Sequence, residues 1–147
     1  MNRRRQLCTF FLQDLYFGVE VEKVQEVIRY QEMTRIPLAP EVIAGLINLR
    51  GQIVTAIDLR RQLELTARPA GQLPMNVVVR RDDGPISLLV DEIGDVVEVE
   101  EESFENPPDT LEPRRRDFIR GVYKLKDKLL LLLETEKAVS VAGAHAA

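Results

Sequence analysis

A chain of 147 residues, 45% hydrophobic and 30% charged with no Trp, has the composition of one ordinary aliphatic-core domain; it is long enough to bury roughly 70% of its unfolded surface without a disulfide or metal. A net charge of -4 excludes the concentrated basic face that nucleic-acid binding needs, and the single cysteine, Cys8, excludes an internal disulfide and a clustered thiolate site. The charge is uneven, with ten basic against eight acidic side chains through Leu73 and ten against sixteen from Pro74 onward, giving halves of +2 and -6 that can orient partners.

Met1 to Gln6 carries three arginines like a secretory signal, but the apolar stretch behind it is broken at Gln13-Asp14 and offers no small-residue cleavage site. No segment reaches the ~18 apolar residues of a membrane span, so a cytoplasmic chain without direct membrane insertion is expected. Leu7 to Leu12 and Tyr16 to Val21 have the β-branched and aromatic content of two strands reversing at Gln13-Asp14-Leu15. Val21, Val24, Val27 and Ile28 then fall at helical spacing and predict about two turns of amphipathic helix. Thr34 to Pro40 is extended because of its prolines, and Glu41 to Ala44 is expected to make one helical turn.

Ile43 to Arg61 carries the most definite local instruction in the chain. Two apolar, β-branched segments flank a polar tip at Arg50-Gly51-Gln52, where Gly51 supplies positive φ and Arg50 presents a fork donor suited to carboxylate recognition. Asp58 is placed to cap a short turn through Arg61.

Glu64 to Pro74 has no period and reads as a connector. Beyond it, Met75 to Arg81 and Ile86 to Asp91 flank the turn sequence Asp82-Asp83-Gly84-Pro85, and Val96, Val97 and Val99 suggest another strand. Glu100 to Asp117 is expected as a long loop. Phe118 to Leu125 and Leu129 to Leu133 form a last hairpin, its five leucines better suited to a strand buried on both faces than to a helix. A short helix is predicted over 134–141.

Asn48-Leu49-Arg50-Gly51, together with Val21 to Ile28, Leu-Val-Asp-Glu-Ile at Leu89 to Ile93 and Phe-Ile-Arg-Gly-Val at Phe118 to Val122, strongly resembles the CheW-like family of chemotaxis coupling proteins, over nearly everything from Gln6 to Lys137. The hairpins without strand-helix-strand alternation already imply an all-β protein of small barrels. The resemblance implies more: one domain over 6–141, built as two five-stranded β-barrel lobes packed side by side with a short helix near the C-terminus. Lobe one is expected at about 15–65 and lobe two at about 75–133 with the N-terminal strand, with flexible tails at 1–5 and 142–147. The helix region departs from the family's leucine-rich pattern, reading Glu134-Thr135-Glu136-Lys137-Ala138-Val139.

Catalysis lacks its chemistry. The only histidine is His145 in the tail, neither Gly-rich phosphate loop occurs, and nothing in sequence pairs two carboxylates across a pocket, so no enzyme, metal or cofactor is expected. The acidic run Glu98 to Glu102 and the basic runs Arg3-Arg4-Arg5 and Arg114-Arg115-Arg116 are most simply solvated surface.

The arrangement singled out is Val24, Glu26 and Ile28 with Gly45, Asn48 and Arg50, which is either a helix end packed on a hairpin or a partner surface. The resemblance implies that this surface meets the kinase's matching domain and the receptor tip, with Val24 and Arg50 as interface positions; Arg50 is expected to pair with Glu26. In the second lobe, Leu88, Val90 and Ile93 alternate around Asp91 and face either the core or outward. The resemblance implies an aliphatic patch against the kinase there. The function it implies is a non-catalytic scaffold joining the cytoplasmic tip of methyl-accepting chemoreceptors to a histidine autokinase through the kinase's CheW-like regulatory domain, in the cytoplasm and recruited to membrane-associated arrays. The alternatives are an adaptor for another chemosensory output such as twitching motility or development and, against the charge, a small-barrel nucleic-acid binder.

Overall fold

The computed structural model describes residues 3–140; the 142–147 tail, His145 and the end of the closing helix lie outside them. Strands dominate: β1 (Arg4–Leu12), β2 (Leu15–Glu20), β3 (Val24–Ile28), β4 (Ile43–Leu49), β5 (Gln52–Asp58), β6 (Met75–Val79), β7 (Ile86–Val90), β8 (Glu92–Glu100), β9 (Phe104–Glu105), β10 (Ile119–Lys124) and β11 (Leu129–Leu133). Three short helices join them, α1 (Leu59–Gln62), α2 (Pro113–Arg116) and α3 (Thr135–Val139).

The strands form a five-stranded sheet in the order β3-β6-β7-β5-β4 and a six-stranded sheet in the order β8-β1-β2-β11-β10-β9, whose sixth member is only two residues long. The all-β, two-lobe expectation is met, although among the described residues neither sheet closes its ladder into a full barrel. Each contains one parallel pair in an otherwise antiparallel order: β5 with β7, and β2 with β11.

Three apolar clusters fill this frame. Ile47, Leu49, Val54, Ala56, Val78 and Leu89 fill the inside of the five-stranded sheet, and Leu7, Tyr16, Val99, Tyr123, Leu130 and Leu132 that of the other. The largest lies between the lobes and takes the alternate residues of the same strands, Val77 and Val79, Leu88 and Val90, Leu131 and Leu133, with Ala138 and Val139 of α3. A strand with period-two side chains and apolar contacts on both faces must read as an unbroken apolar run, which is why five leucines serve as β11.

The lobe boundaries differ from the expectation. Lobe one is the contiguous stretch β3 to β7, and lobe two combines β1 and β2 with β8 to β11. The chain therefore changes sheets only at Val21–Lys23 and at Asp91, and the 64–74 connector lies inside lobe one. The helix expected over 21–28 is a single 3-10 turn at Val21–Lys23 followed by β3. Four of its eight residues are β-branched, and β6 offers a ladder running from Val24↔Val79 to Ile28↔Asn76, which outweighs a weak helical period. Glu41 and Val42 form a turn rather than helix.

The charge runs are not idle surface either. Arg4 and Arg5, expected in a flexible tail, belong to β1, where they pair with Glu98 at 3.3 Å and Glu101 at 3.0 Å. The loop expected over 100–117 contains β9 and α2. Arg115 donates from Nε to the Leu63 carbonyl at 3.1 Å, beyond the C-terminal end of α1, and Arg116 donates to the carbonyls of Asp109 and Leu111.

Candidate functional site: the 50–51 hairpin tip

The β4–β5 hairpin turns in two residues, Arg50 and Gly51, between the paired Leu49 and Gln52. Both turn residues have positive φ, 50° and 88°, as the tight turns matching strand twist require. Gly51 adopts this freely, whereas an arginine there costs about 1 kcal/mol. Asn48 offsets part of that cost, since its Oδ1 accepts from the Gly51 N–H at 2.8 Å. Gly45 lies at the bulge in β4, where an added Cβ would stand 2.7 Å from the Thr34 carbonyl oxygen; its missing side chain lets residues 33–34 run along this edge and bridge Thr34 to Leu46.

Arg50 Nη2 donates to Glu26 Oε2. Because β3 and β4 are opposite edges of their sheet, this pair spans the seam of a curled sheet. The hydrogen bond from Arg50 holds the Glu26 carboxyl below the usual carboxylate range. Arg50 keeps 72% of its side chain in water and Glu26 only 20%. A guanidinium has five N–H donors, so this one retains donors for a second carboxylate arriving from outside.

The other predicted residues separate into outside and inside. Asn48 is exposed beside Arg50, and Ile53, which pairs with Asn48 across the hairpin, is 61% exposed; sequence reasoning passed over it as an ordinary strand residue. Val24 is buried in the interlobe core, so it is corrected from an interface position to core, and Ile28 packs partly on the core of lobe one. In the second group, Leu88 and Val90 have 0% exposure and face the other lobe of the same chain, so they are corrected from partner contacts to core. Ile93 is half-buried at the edge of that core.

A second charged centre escaped the sequence. Asp91, the residue at which the chain passes from β7 to β8, is buried and holds four donors: Arg60 Nε at 2.9 Å and Nη2 at 2.5 Å, Arg68 Nε at 2.9 Å and the Gln13 N–H at 2.6 Å. Arg60 Nη1 also ties the connector through the carbonyls of Thr66 and Ala67. Asp58 caps α1 by accepting from the Arg60 N–H at 3.1 Å, which aims Arg60 at this centre. The available signal was the carboxylate that closes the apolar run Leu88-Leu89-Val90.

Two curled sheets with a buried interlobe core and an exposed cationic hairpin define a recognition domain rather than a catalytic one. The chain belongs to the CheW family of CheW-like domains, whose family model matches residues 6–142. It is 31% identical to a probable chemotaxis protein CheW of Rhizobium etli, covering 97% of this chain and 92% of that one, and 27% identical to the chemotaxis protein CheW of Treponema pallidum, covering 92% and 82%. Among solved structures it is similar to the scaffolding protein TtCheW of Thermoanaerobacter tengcongensis, with a TM-score of 0.85 and 28% identity over 96% of this chain and 91% of that one.

Proposed function

We propose that this protein is a non-catalytic chemotaxis adaptor that couples chemoreceptors to a histidine autokinase. It works in the cytoplasm at membrane-associated receptor arrays, binding the receptor's cytoplasmic tip and the kinase's CheW-like regulatory domain through separate surfaces. Holding both at once raises their effective concentration and passes orientation from one to the other. The observation that carries this reading is the Arg50 tip seated on Glu26 across the seam of lobe one, in a chain of this family. Glu26, Asn48, Arg50 and Ile53 form the contact face, with Val24, Ile28 and Gly45 fixing the strands behind it. No helix of the described residues is long and apolar enough to cross a membrane.

Pull-down titrations against a receptor signalling fragment and a chemotaxis kinase, separately and together, test the reading. The expected result is binding to each and receptor control of kinase activity only in the ternary mixture, with control lost in Arg50→Glu. Binding to neither partner overturns it.

A further inference from the structure

In lobe two, a cleft of about 320 Å³ opens between the β1–β2 turn and the β10–β11 turn. Its floor is made by Phe11 and Tyr16, whose ring centroids lie 5.0 Å apart, with Leu15, Leu129 and Leu131 beside them. Asp14 and Asp127 stand on its rim. The Lys128 ammonium rests over both rings, 4.7 Å from the Tyr16 centroid and 5.1 Å from that of Phe11. Among the described ion pairs, neither rim carboxylate lies within 4.0 Å of a basic nitrogen.

We infer that this cleft is a docking pocket for an arginine side chain on an extended segment of a protein partner, and that Lys128 is its resident competitor. The molecule already displays the ligand chemistry, since an alkyl chain ending in a cation lies on the two rings. Lysine is the weaker fit. A planar guanidinium stacks on aromatic faces, and its fork can reach carboxylates that Lys128 leaves unpaired. Lys128 sits on an exposed turn with a flexible stem, so it can swing into water when displaced. Leucines bordering the rings suit apolar neighbours of the incoming arginine, while the two aspartates disfavour an acidic segment.

Titrating the ¹⁵N-labelled full chain with N-acetyl-Leu-Arg-Leu-amide tests this, with the norleucine analogue of the arginine as uncharged control. Amide shifts are expected at Phe11, Asp14–Tyr16 and Lys128–Leu131. Lys128→Ala should tighten binding about threefold, as removal of one exposed cation–π competitor implies, and Asp14→Asn with Asp127→Asn should weaken it by a similar factor. Unshifted resonances elsewhere report that the variants are folded. Equal shifts with the norleucine peptide, no tightening in Lys128→Ala, or shifts centred on the 50–51 tip would each overturn the inference.

Discussion

Two carboxylates organise this molecule, and they are built in opposite ways. Asp91 is buried where the chain changes sheets, and the fold fills it with four donors from Arg60, Arg68 and Gln13. Glu26 is held chiefly by an arginine that remains largely in water. Both are acid–arginine contacts, but the first has no capacity left for an outside partner and the second has donors free. Access to water and the number of donors decide whether an ion pair serves as framework or as a contact that a partner can share.

The largest test of this contrast is Asp91→Ala. Removing the carboxylate leaves Arg60 with only the Thr66 and Ala67 carbonyls, Arg68 with only Asp58 at 3.8 Å, and the Gln13 N–H without its acceptor, and urea unfolding should show a loss of about 3–5 kcal/mol. Burial pushes the Asp91 carboxyl up, but the bonds from Arg60, then Gln13, then Arg68 outweigh it and hold it below its usual range. Its contribution is therefore complete above the carboxylate range of the unfolded chain and is lost as pH falls through the lower folded value. That part of the acid limb should flatten in Asp91→Asn.

Next comes Gly45→Val, where the new side chain would collide with the Thr34 carbonyl and cost about 1–3 kcal/mol, seen in the same melts. Arg50→Glu should leave the melting temperature within about 2 °C while abolishing ternary coupling, and adding Glu26→Arg should restore part of it. Equal defects in the single and double variants would remove the pairing from the mechanism. The smallest effect belongs to Arg4→Ala, whose exposed pair with Glu98 should contribute at most about 0.5 kcal/mol.

What the sequence shows and hides follows from where each instruction lies. The β4–β5 turn and the Asp58 cap were legible because glycine, arginine and aspartate act within a few residues of themselves. The strand at Val24–Ile28 was not, because the ladder that claims it starts at Asn76. The same distance hid the role of Leu88 and Val90. The aliphatic patch expected against the kinase's domain is, at Leu88 and Val90, covered by the other lobe of the same chain. Asp91 could not be matched with Arg60 and Arg68 until both lobes were in place, since no spacing rule links a strand end to a connector.

The topology also sets an order of assembly. Lobe one is a single uninterrupted stretch, so its contacts close shorter loops than those of lobe two. Lobe two must join residues from opposite ends of the chain, as in Leu130↔Tyr16 and Leu7↔Val97. Without the inserted lobe, each of those pairings would close a long loop at full entropic cost. Once lobe one has formed, it fixes where the chain leaves β2 and where it enters β8, which shortens the loop that β1 must close to zip against β8. A nascent chain can therefore complete lobe one early, but the sheet begun by its opening hairpin is complete only when the final leucine strand pairs with β2.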